Sequence, residues 1–397
     1  MRILVMVNNF PWPRSIDGIF NWLHLRAMRD LGHEIRVLRW APWSPPLNDR
    51  WRHYRSIPSA YEHDGFPVRT FRVLIGPRHY GIGTIRYQLQ TAVDREIAAF
   101  DPNIVQVHGL IPAGVMALGS KVPYVVTGHG TEAYKAPFKR ESLKKVAHQV
   151  VTHAAACVGV SAFVAERLRM FGARDPRVIF NGADDAVFYP RSRSAARAEL
   201  GLDAGAPTLL FAGHMLEQKG MRELLKAAFA IRNLRPQFIF AGDGELEGEL
   251  RETLRSANIR ALFPGVVDQR RLATMYAATD VVVLPSHAEG LPLLLCEAMC
   301  AGRAVVATRV GGIPEIVRDG ETGYIVEPRD ADGLARRLRD VLTDAVLRKR
   351  FEHEAFAFAR EHLTWKANAR AYEALYLERG RFLERRATDI VDYVGAQ

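Results

Sequence analysis

The sequence predicts an α/β protein of two doubly wound domains facing each other across a cleft. Three observations predict it. The chain has 397 residues, more than the roughly 250–300 that a single core sustains. Short apolar runs alternate with helical patterns, as in parallel βαβ units. The alternation also runs twice, broken at 191–207 (RSRSAARAELGLDAGAP), a strandless stretch rich in arginine and small residues.

The first series reads as strands at Ile3–Val7, Glu34–Leu38, Val68–Val73, Ile104–Val107, Tyr124–Thr127, Cys157–Val160 and Val178–Phe180. A helix from Ile19 to Leu31 is followed by Gly32, a natural C′ residue. Another fits Ser161 to Phe171, with Ser161 able to cap its N-terminus. The second series reads as strands at Thr208–Ala212, Gln237–Ala241, Ile259–Phe263, Val281–Leu284, Ala304–Ala307 and Tyr324–Val326. From Asp330 to Val394 the pattern is helical throughout. The expected organisation is a first domain over 1–190, a linker at 191–207, a second domain over 208–370, and C-terminal helices at 371–397 that cross back to the first domain.

Composition narrows the function classes. The chain is 48% hydrophobic and 25% charged, as soluble globular proteins are. Its apolar runs fall short of the ~18–20 residues of a membrane span, and Met1–Val7 reads as a buried strand rather than a signal peptide. A cytoplasmic protein is expected. Cys157, Cys296 and Cys300 make no disulfide framework and read as core residues. The net charge of +10 is concentrated early. Residues 1–190 carry 24 Lys and Arg against 15 Asp and Glu, and the remainder carries 30 against 29. A basic surface suits anionic lipid, an anionic small substrate or nucleic acid. No zinc finger, RNA-binding aromatic signature or basic zipper is present, so nucleic acid is not expected as a partner. The segment 135–150 (KAPFKRESLKKVAHQV) groups Lys135, Lys139, Arg140, Lys144 and Lys145. On a helix from about Ser142, Leu143, Val146, Ala147 and Val150 share one face. Such a surface is either a solvated helix face or a dock for an anionic membrane, which would make the protein peripheral on the inner face of the plasma membrane.

In doubly wound sheets, ligands bind outside the carboxyl ends of the strands. The loop after the first strand has neither a dinucleotide fingerprint nor a Walker-type phosphate loop. It ends at Gly18, which is either an anion-approaching glycine at a helix start or a plain N-cap. The loop after Thr208–Ala212 runs Gly213-His214-Met-Leu-Glu-Gln-Lys219-Gly220. Gly213 lets a ligand approach the backbone, and Lys219 can set a point charge on a phosphate. Ala241-Gly-Asp-Gly244 repeats the pattern or is simple turn chemistry.

The most informative stretch is 287–302, HAEGLPLLLCEAMCAG. Glu289 falls in the loop after Val281–Leu284, Pro292 suits a first helical position, Gly302 suits the stop, and Glu297 lies on the helix between them. First-turn N–H groups from Gly290 to Leu294 favour an anion. Two acceptor carboxylates beside such a helix end suit a ligand with both hydroxyls and phosphates, such as a nucleoside diphosphate sugar. The alternative is that Glu297 is a buried acid bonded to backbone.

At these residues the chain resembles the retaining glycosyltransferases of the GT-B class, family 4. EGLPLLLCE matches the family's E-x7-E motif, followed by AGRAVVATRVGGIPEIVRDGETGYIVEP. The resemblance also takes in LFAGHMLEQKG, AGDGEL, FNGADDAVFYP, VTGHGTE and LGHEIRVL, and so covers almost the whole chain. It implies a fold of two Rossmann-like domains with the donor mainly in the C-terminal one. Glu297 is then expected at the nucleotide ribose, and Glu289 at the sugar and reaction centre. Backbone N–H groups of Gly290, Leu291 and Leu293 would hold sugar and phosphates. Lys219 would bind the diphosphate, with Gly213 and His214 in the same loop. Gly18 would approach the phosphates, His129 would lie by the sugar, and Gly265 and Val266 near the base. The donor would be a UDP- or GDP-linked sugar, with no metal and no other cofactor. The acceptor would be a glycan or a lipid-linked glycan, as in members that build bacterial surface polysaccharide. A GT-B epimerase, transfer to a soluble small molecule, or a non-catalytic nucleotide-sugar binder are the competing readings. The chain departs from the family twice: His214 stands where an arginine is usual, and Asp17-Gly18 where a glycine pair is usual.

Overall fold

The computed structural model describes residues 1–13, 15, 17–43, 52–74, 84–130 and 140–378. Its chain divides into two compact units, Met1–Phe180 with Asn368–Gln397, and Asn181–Ala367.

The first unit holds strands β1 (Arg2–Val7), β2 (Glu34–Trp43), β3 (Ala60–His63), β4 (Phe66–Leu74), β5 (Ile104–His108), β6 (Tyr124–Gly128), β7 (Ala156–Gly159) and β8 (Arg177–Val178). Its helices are α1 (Ile19–Asp30), α2 (Arg52–Arg55), α3 (Ile85–Phe100), α4 (Ala113–Ala117), α5 (Glu141–Thr152) and α6 (Ala162–Met170). Among the described residues the sheet order is β3-β4-β2-β1-β5-β6-β7-β8, parallel except for β3 on β4. Strand β1 is buried from Ile3 to Val7, which explains its unbroken apolar run. The sequence reading missed β3. It is joined to β4 by the Asp64-Gly65 turn, a residue pair that favours two-residue hairpins.

The second unit holds α7 (Arg193–Glu199), β9 (Thr208–Ala212), α8 (Met221–Ala230), β10 (Gln237–Ala241), α9 (Glu247–Ser256), β11 (Arg260–Gly265), α10 (Gln269–Ala278), β12 (Val281–Leu284), α11 (Leu293–Cys300), β13 (Ala304–Thr308), α12 (Ile313–Ile316), β14 (Gly323–Val326), α13 (Ala331–Thr343) and α14 (Ala345–His362). Its parallel strands run β11-β10-β9-β12-β13-β14, the doubly wound order. Three strands, β9, β10 and β12, have the bounds expected from sequence.

Three expectations need correction. The stretch 191–207 is strandless, yet it is no bare linker: it carries α7, capped by Ser192, inside the second unit. The chain passes between units at Phe180–Asn181 and Ala367–Asn368, not at 190 and 370. Pro292 is the extended N-cap of α11 rather than its first helical residue. The helical stretch 365–378 (α15) belongs to the first unit from Asn368 onward. The expected helices beyond 378 lie outside the described residues, as do Lys135 and Lys139.

Helix α7 is tied to the sheet by a buried ion pair. Arg197 donates to Asp280 at 2.6 Å, with both side chains 8% exposed, and Asp280 also accepts from the Thr208 N–H. Arg193, Arg348 and Arg303 crowd the same region, and burial together with the charge of Arg193 pulls the Arg303 pKa down to about 10. Asp280→Ala leaves these cations without their shared acid. We expect a loss of about 3–5 kcal/mol, read as a lower thermal midpoint, and a smaller loss when Arg197→Met is added.

Candidate active site

The loops that matter follow strands at the point where the winding of each sheet reverses. In the second unit β9 lies between β10 and β12, so the loops after β9 and β12 open at the switch point. Backbone contacts lock them together. The His287 N–H donates to the Gln218 carbonyl at 2.8 Å. Gly220 has φ +70°, and a Cβ there would sit 2.0 Å from the Pro285 carbonyl oxygen, so only glycine serves. The Gly312 N–H donates to the Gly290 carbonyl at 2.8 Å, tying in the loop after β13. On the other side, Gly213 donates to Ala241, and Gly242 to Gly265, each at 2.8 Å.

This interlock brings Lys219 and Glu289 together although 70 residues separate them. The Lys219 ammonium donates to the Glu289 carboxylate at 2.7 Å, with side chains 25% and 10% exposed. Lys219 ends a 3-10 turn, Glu217–Lys219, just before α8. His287 Nε2 also lies 3.3 Å from the Glu223 carboxylate on α8. His214 is exposed and pairs with Asp243 at 2.7 Å, in the loop after β10. Gly265 closes β11, and Val266 beyond it is exposed.

Glu297 occupies a different environment. It is the fifth residue of α11, and Gly290, Leu291 and Leu293 lie on the approach to that helix. First-turn N–H groups of a helix lack a preceding helical carbonyl, and here the Leu295 N–H reaches the Pro292 carbonyl at 3.2 Å. The Tyr276 hydroxyl on α10 lies 2.9 Å from the Glu297 carboxylate and 3.1 Å from the Leu294 carbonyl. Burial pushes the Glu297 pKa up to about 7, and the Tyr276 bond pulls against that rise. Tyr276 itself is held by Phe188, edge-on at 5.6 Å between ring centroids.

The first unit has its own polar cluster. Gly18 caps α1, and a Cβ there would meet the Asn9 carbonyl oxygen at 2.3 Å, so that close approach alone requires glycine. His129 follows β6 and shares a hydrogen bond of 2.8 Å with His108 on β5. Phe20 packs on the His129 ring at 4.8 Å. His24 on α1 meets the His108 ring at 5.2 Å. Asn368 donates its amide to the Phe180 carbonyl, so its oxygen accepts from His24 Nδ1 at 2.6 Å, and His24 Nε2 then accepts from Gln106 at 2.7 Å.

Of the residues singled out from sequence, the structure brings Lys219 and Glu289 together, while the partners of His214 and Glu297 carry no sequence signal. Asp243 lay in the AGDG turn and Tyr276 in an ordinary helical stretch. Among the described residues no helix is long and apolar enough to cross a membrane.

Comparison with known proteins gives the family. The family profile Glycosyltransferase Family 4 matches residues 22–187, and Glycosyl transferases group 1 matches residues 192–358. An alpha-maltose-1-phosphate synthase of Mycobacterium tuberculosis is 31% identical over 62% of this chain and 70% of its own length. A glycogen synthase of the same organism is 28% identical over 95% of this chain and 94% of its own. The putative teichuronic acid biosynthesis glycosyltransferase TuaC of Bacillus subtilis is 24% identical over 89% and 90%. Among solved structures, Anabaena HepE in complex with UDP-glucose superposes with a TM-score of 0.72 at 20% identity, covering 94% of this chain and 99% of that one. Two doubly wound units of this kind make the GT-B fold. The chain belongs to the family 4 glycosyltransferases, the glycosyl transferases group 1, and is an enzyme of the hexosyltransferase type.

The histidine cluster makes the first unit acid-sensitive. Burial lowers His24 to about 4, and burial with the nearby His24 lowers His129 to about 3. His108 falls well below its ordinary value for the same reason, with His129 and His24 adding to it. An unfolded histidine binds its proton near pH 6.5, where these stay neutral. Their contribution is therefore intact above about 6.5 and is lost as pH falls toward 4. Between pH 6.5 and 5 a histidine held at about 4, as His24 is, withdraws about 1.5 kcal/mol. Hydrogen exchange at β5 and β6 should accelerate over that range, and His24→Asn should flatten the dependence.

Proposed function

We propose that the enzyme moves a hexose, with retention and without a metal, from a UDP- or GDP-linked sugar to a glycan or lipid-linked acceptor in cell-surface polysaccharide synthesis. The observation that carries this reading is the Lys219–Glu289 pair at the switch point, with Glu297 behind it on α11. Lys219 and the N–H groups of Leu291 and Leu293 are suited to charge growing on a departing diphosphate. Pro292 has no N–H, so those groups flank it. Glu297 is assigned to the ribose hydroxyls and Glu289 to the sugar. His214 with Gly213 is assigned to the diphosphate, and Gly265 with Val266 to the base. The assignments of Gly18 to the phosphates and His129 to the sugar rest on the family resemblance. In the transfer step the anomeric carbon–phosphate oxygen bond breaks and the acceptor oxygen bonds that carbon on the same face. The departing phosphate oxygen takes the acceptor proton. HepE's complex with UDP-glucose supports the donor class, and the name of TuaC supports the polysaccharide role.

Incubation with UDP- and GDP-sugars, with and without glycan acceptors, tests this by NMR of the product anomer. Retained configuration is expected. An inverted product removes the retaining mechanism, and an altered donor sugar formed without acceptor makes the enzyme an epimerase. Glu297→Gln should weaken UDP binding by roughly 1–3 kcal/mol, and Lys219→Ala should lower turnover more than nucleotide affinity.

The same reading places the enzyme in the cytoplasm, docked on anionic membrane through α5. That helix buries Ala147 and Val150 and leaves Lys145 and His148 exposed. Exposed Met170 lines a hollow of about 550 Å³ with Lys144, Lys145 and His148. Sedimentation should show binding to anionic but not neutral vesicles, weakening with salt and after charge reversal at Lys144 and Lys145. Equal binding to both vesicle types removes the membrane role.

A further inference from the structure

We propose that Tyr276 is the positioning residue of the nucleotide site, holding Glu297 through one hydroxyl that passes its hydrogen bond between the Glu297 carboxylate and the Leu294 carbonyl. The inference rests on the assignment of Glu297 to the ribose.

The geometry is specific. A phenol has one hydrogen, and Tyr276 faces two acceptors, Glu297 Oε2 at 2.9 Å and the Leu294 carbonyl at 3.1 Å. When Glu297 is ionised, the hydrogen belongs on Glu297, where the bond is charge-assisted. When Glu297 is protonated, its own O–H points to the Tyr276 oxygen, and the Tyr276 hydrogen turns to Leu294. The carboxyl is held in one orientation in both states, with Oε2 committed to Tyr276 and Oε1 left to accept from a ribose hydroxyl under the proposed assignment. The ring cannot swing away, since Tyr276 is fully buried in α10 and Phe188 packs against its face or edge at 86°.

The surroundings leave Tyr276 alone in this task. The other titratable groups that feel Glu297 are Cys296 and Cys300 on its own helix, with Asp184 and Asp185 adding to the field at Cys300. Cys296 and Cys300 turn their S–H groups to the Asn181 and Leu363 carbonyls, so neither competes for the carboxylate. No ion pair joins Glu297 to a cation among the described residues, in contrast to Glu289 and Lys219. The Tyr276 bond is thus what opposes the burial-driven rise of the carboxyl toward neutrality.

Tyr276→Phe removes only the hydroxyl and keeps the ring. Titration calorimetry with UDP and with 2′-deoxy-UDP, from pH 5.5 to 8.5, reads the effect. For the native enzyme, UDP affinity should rise with pH through about 7, where Glu297 ionises. Tyr276→Phe should move that midpoint to higher pH and weaken UDP about tenfold at pH 7. In a Glu297→Gln background, Tyr276→Phe should cause no further pH shift. A thermal melt of each variant establishes that it is folded. If Tyr276→Phe weakens binding equally at every pH and in the Glu297→Gln background, its role is structural packing and the proposal falls. An unchanged midpoint also overturns it, while the ribose assignment stands so long as Glu297→Gln erases the preference for UDP over 2′-deoxy-UDP. If that preference survives Glu297→Gln, the ribose assignment itself fails.

Discussion

The second unit depends on an interlock of backbone groups at the carboxyl edge of its sheet. Peptide bonds from the loops after β9, β10, β12 and β13 hydrogen-bond across to one another, through Gly213, Gly242, His287 and Gly312. Glycine at 220 lets the β9 loop approach the Pro285 carbonyl closely enough for the lattice to close. A 2.7 Å contact between residues 219 and 289 follows from that closure, because neither loop alone has a reason to hold its charged residue in place. Preorganisation of this kind sets catalytic groups without asking the ligand to order the loops.

Much of this was legible before any coordinates. Buried parallel strands are near-continuous apolar runs, so β9, β10 and β12 could be bounded to the residue. Loops at strand ends could be picked out, and Lys219, Glu289 and Glu297 with them. What escaped were partners, since a hydrogen bond across a fold leaves no trace in local periodicity. Tyr276 sits among apolar neighbours on α10 and reads as core, which it also is. His24 reads as one polar interruption of α1, and its bond to Asn368 spans 344 positions. The stretch 191–207 misled because small and charged residues suit a short capped helix as well as a linker. β3 escaped because a four-residue edge strand with half its side chains in water has little apolar pattern to show.

The two glutamates of the 287–302 stretch show how fold position divides labour between identical side chains. Glu289 is fixed in a loop beside the Lys219 ammonium. Glu297 stands a turn and more into a helix, with a phenol for company, and burial brings it to the edge of neutrality at about 7. The buried histidines of the first unit, by contrast, are held neutral far below their ordinary range. Near pH 7 the charge change among these groups therefore falls on Glu297, and the histidines enter only under acid.

Ion pairing in the second unit has a further consequence for how a donor would enter. Lys219 and His214 each already face an acid, Glu289 and Asp243. A diphosphate arriving under the proposed function exchanges partners rather than adding to bare cations. Exchange costs less than it first suggests, because the carboxylate released from Lys219 is an acceptor without a partner, and a sugar carries hydroxyl donors. Phosphate and sugar of one ligand thus satisfy the two halves of one ion pair. A nucleoside diphosphate lacking its sugar supplies only the anion and leaves Glu289 partly buried with its charge uncompensated, which opposes binding. Under the proposed function, discrimination between the donor and its spent nucleotide would arise from the Lys219–Glu289 pair itself, and re-formation of that pair would favour product release once the sugar has moved to the acceptor.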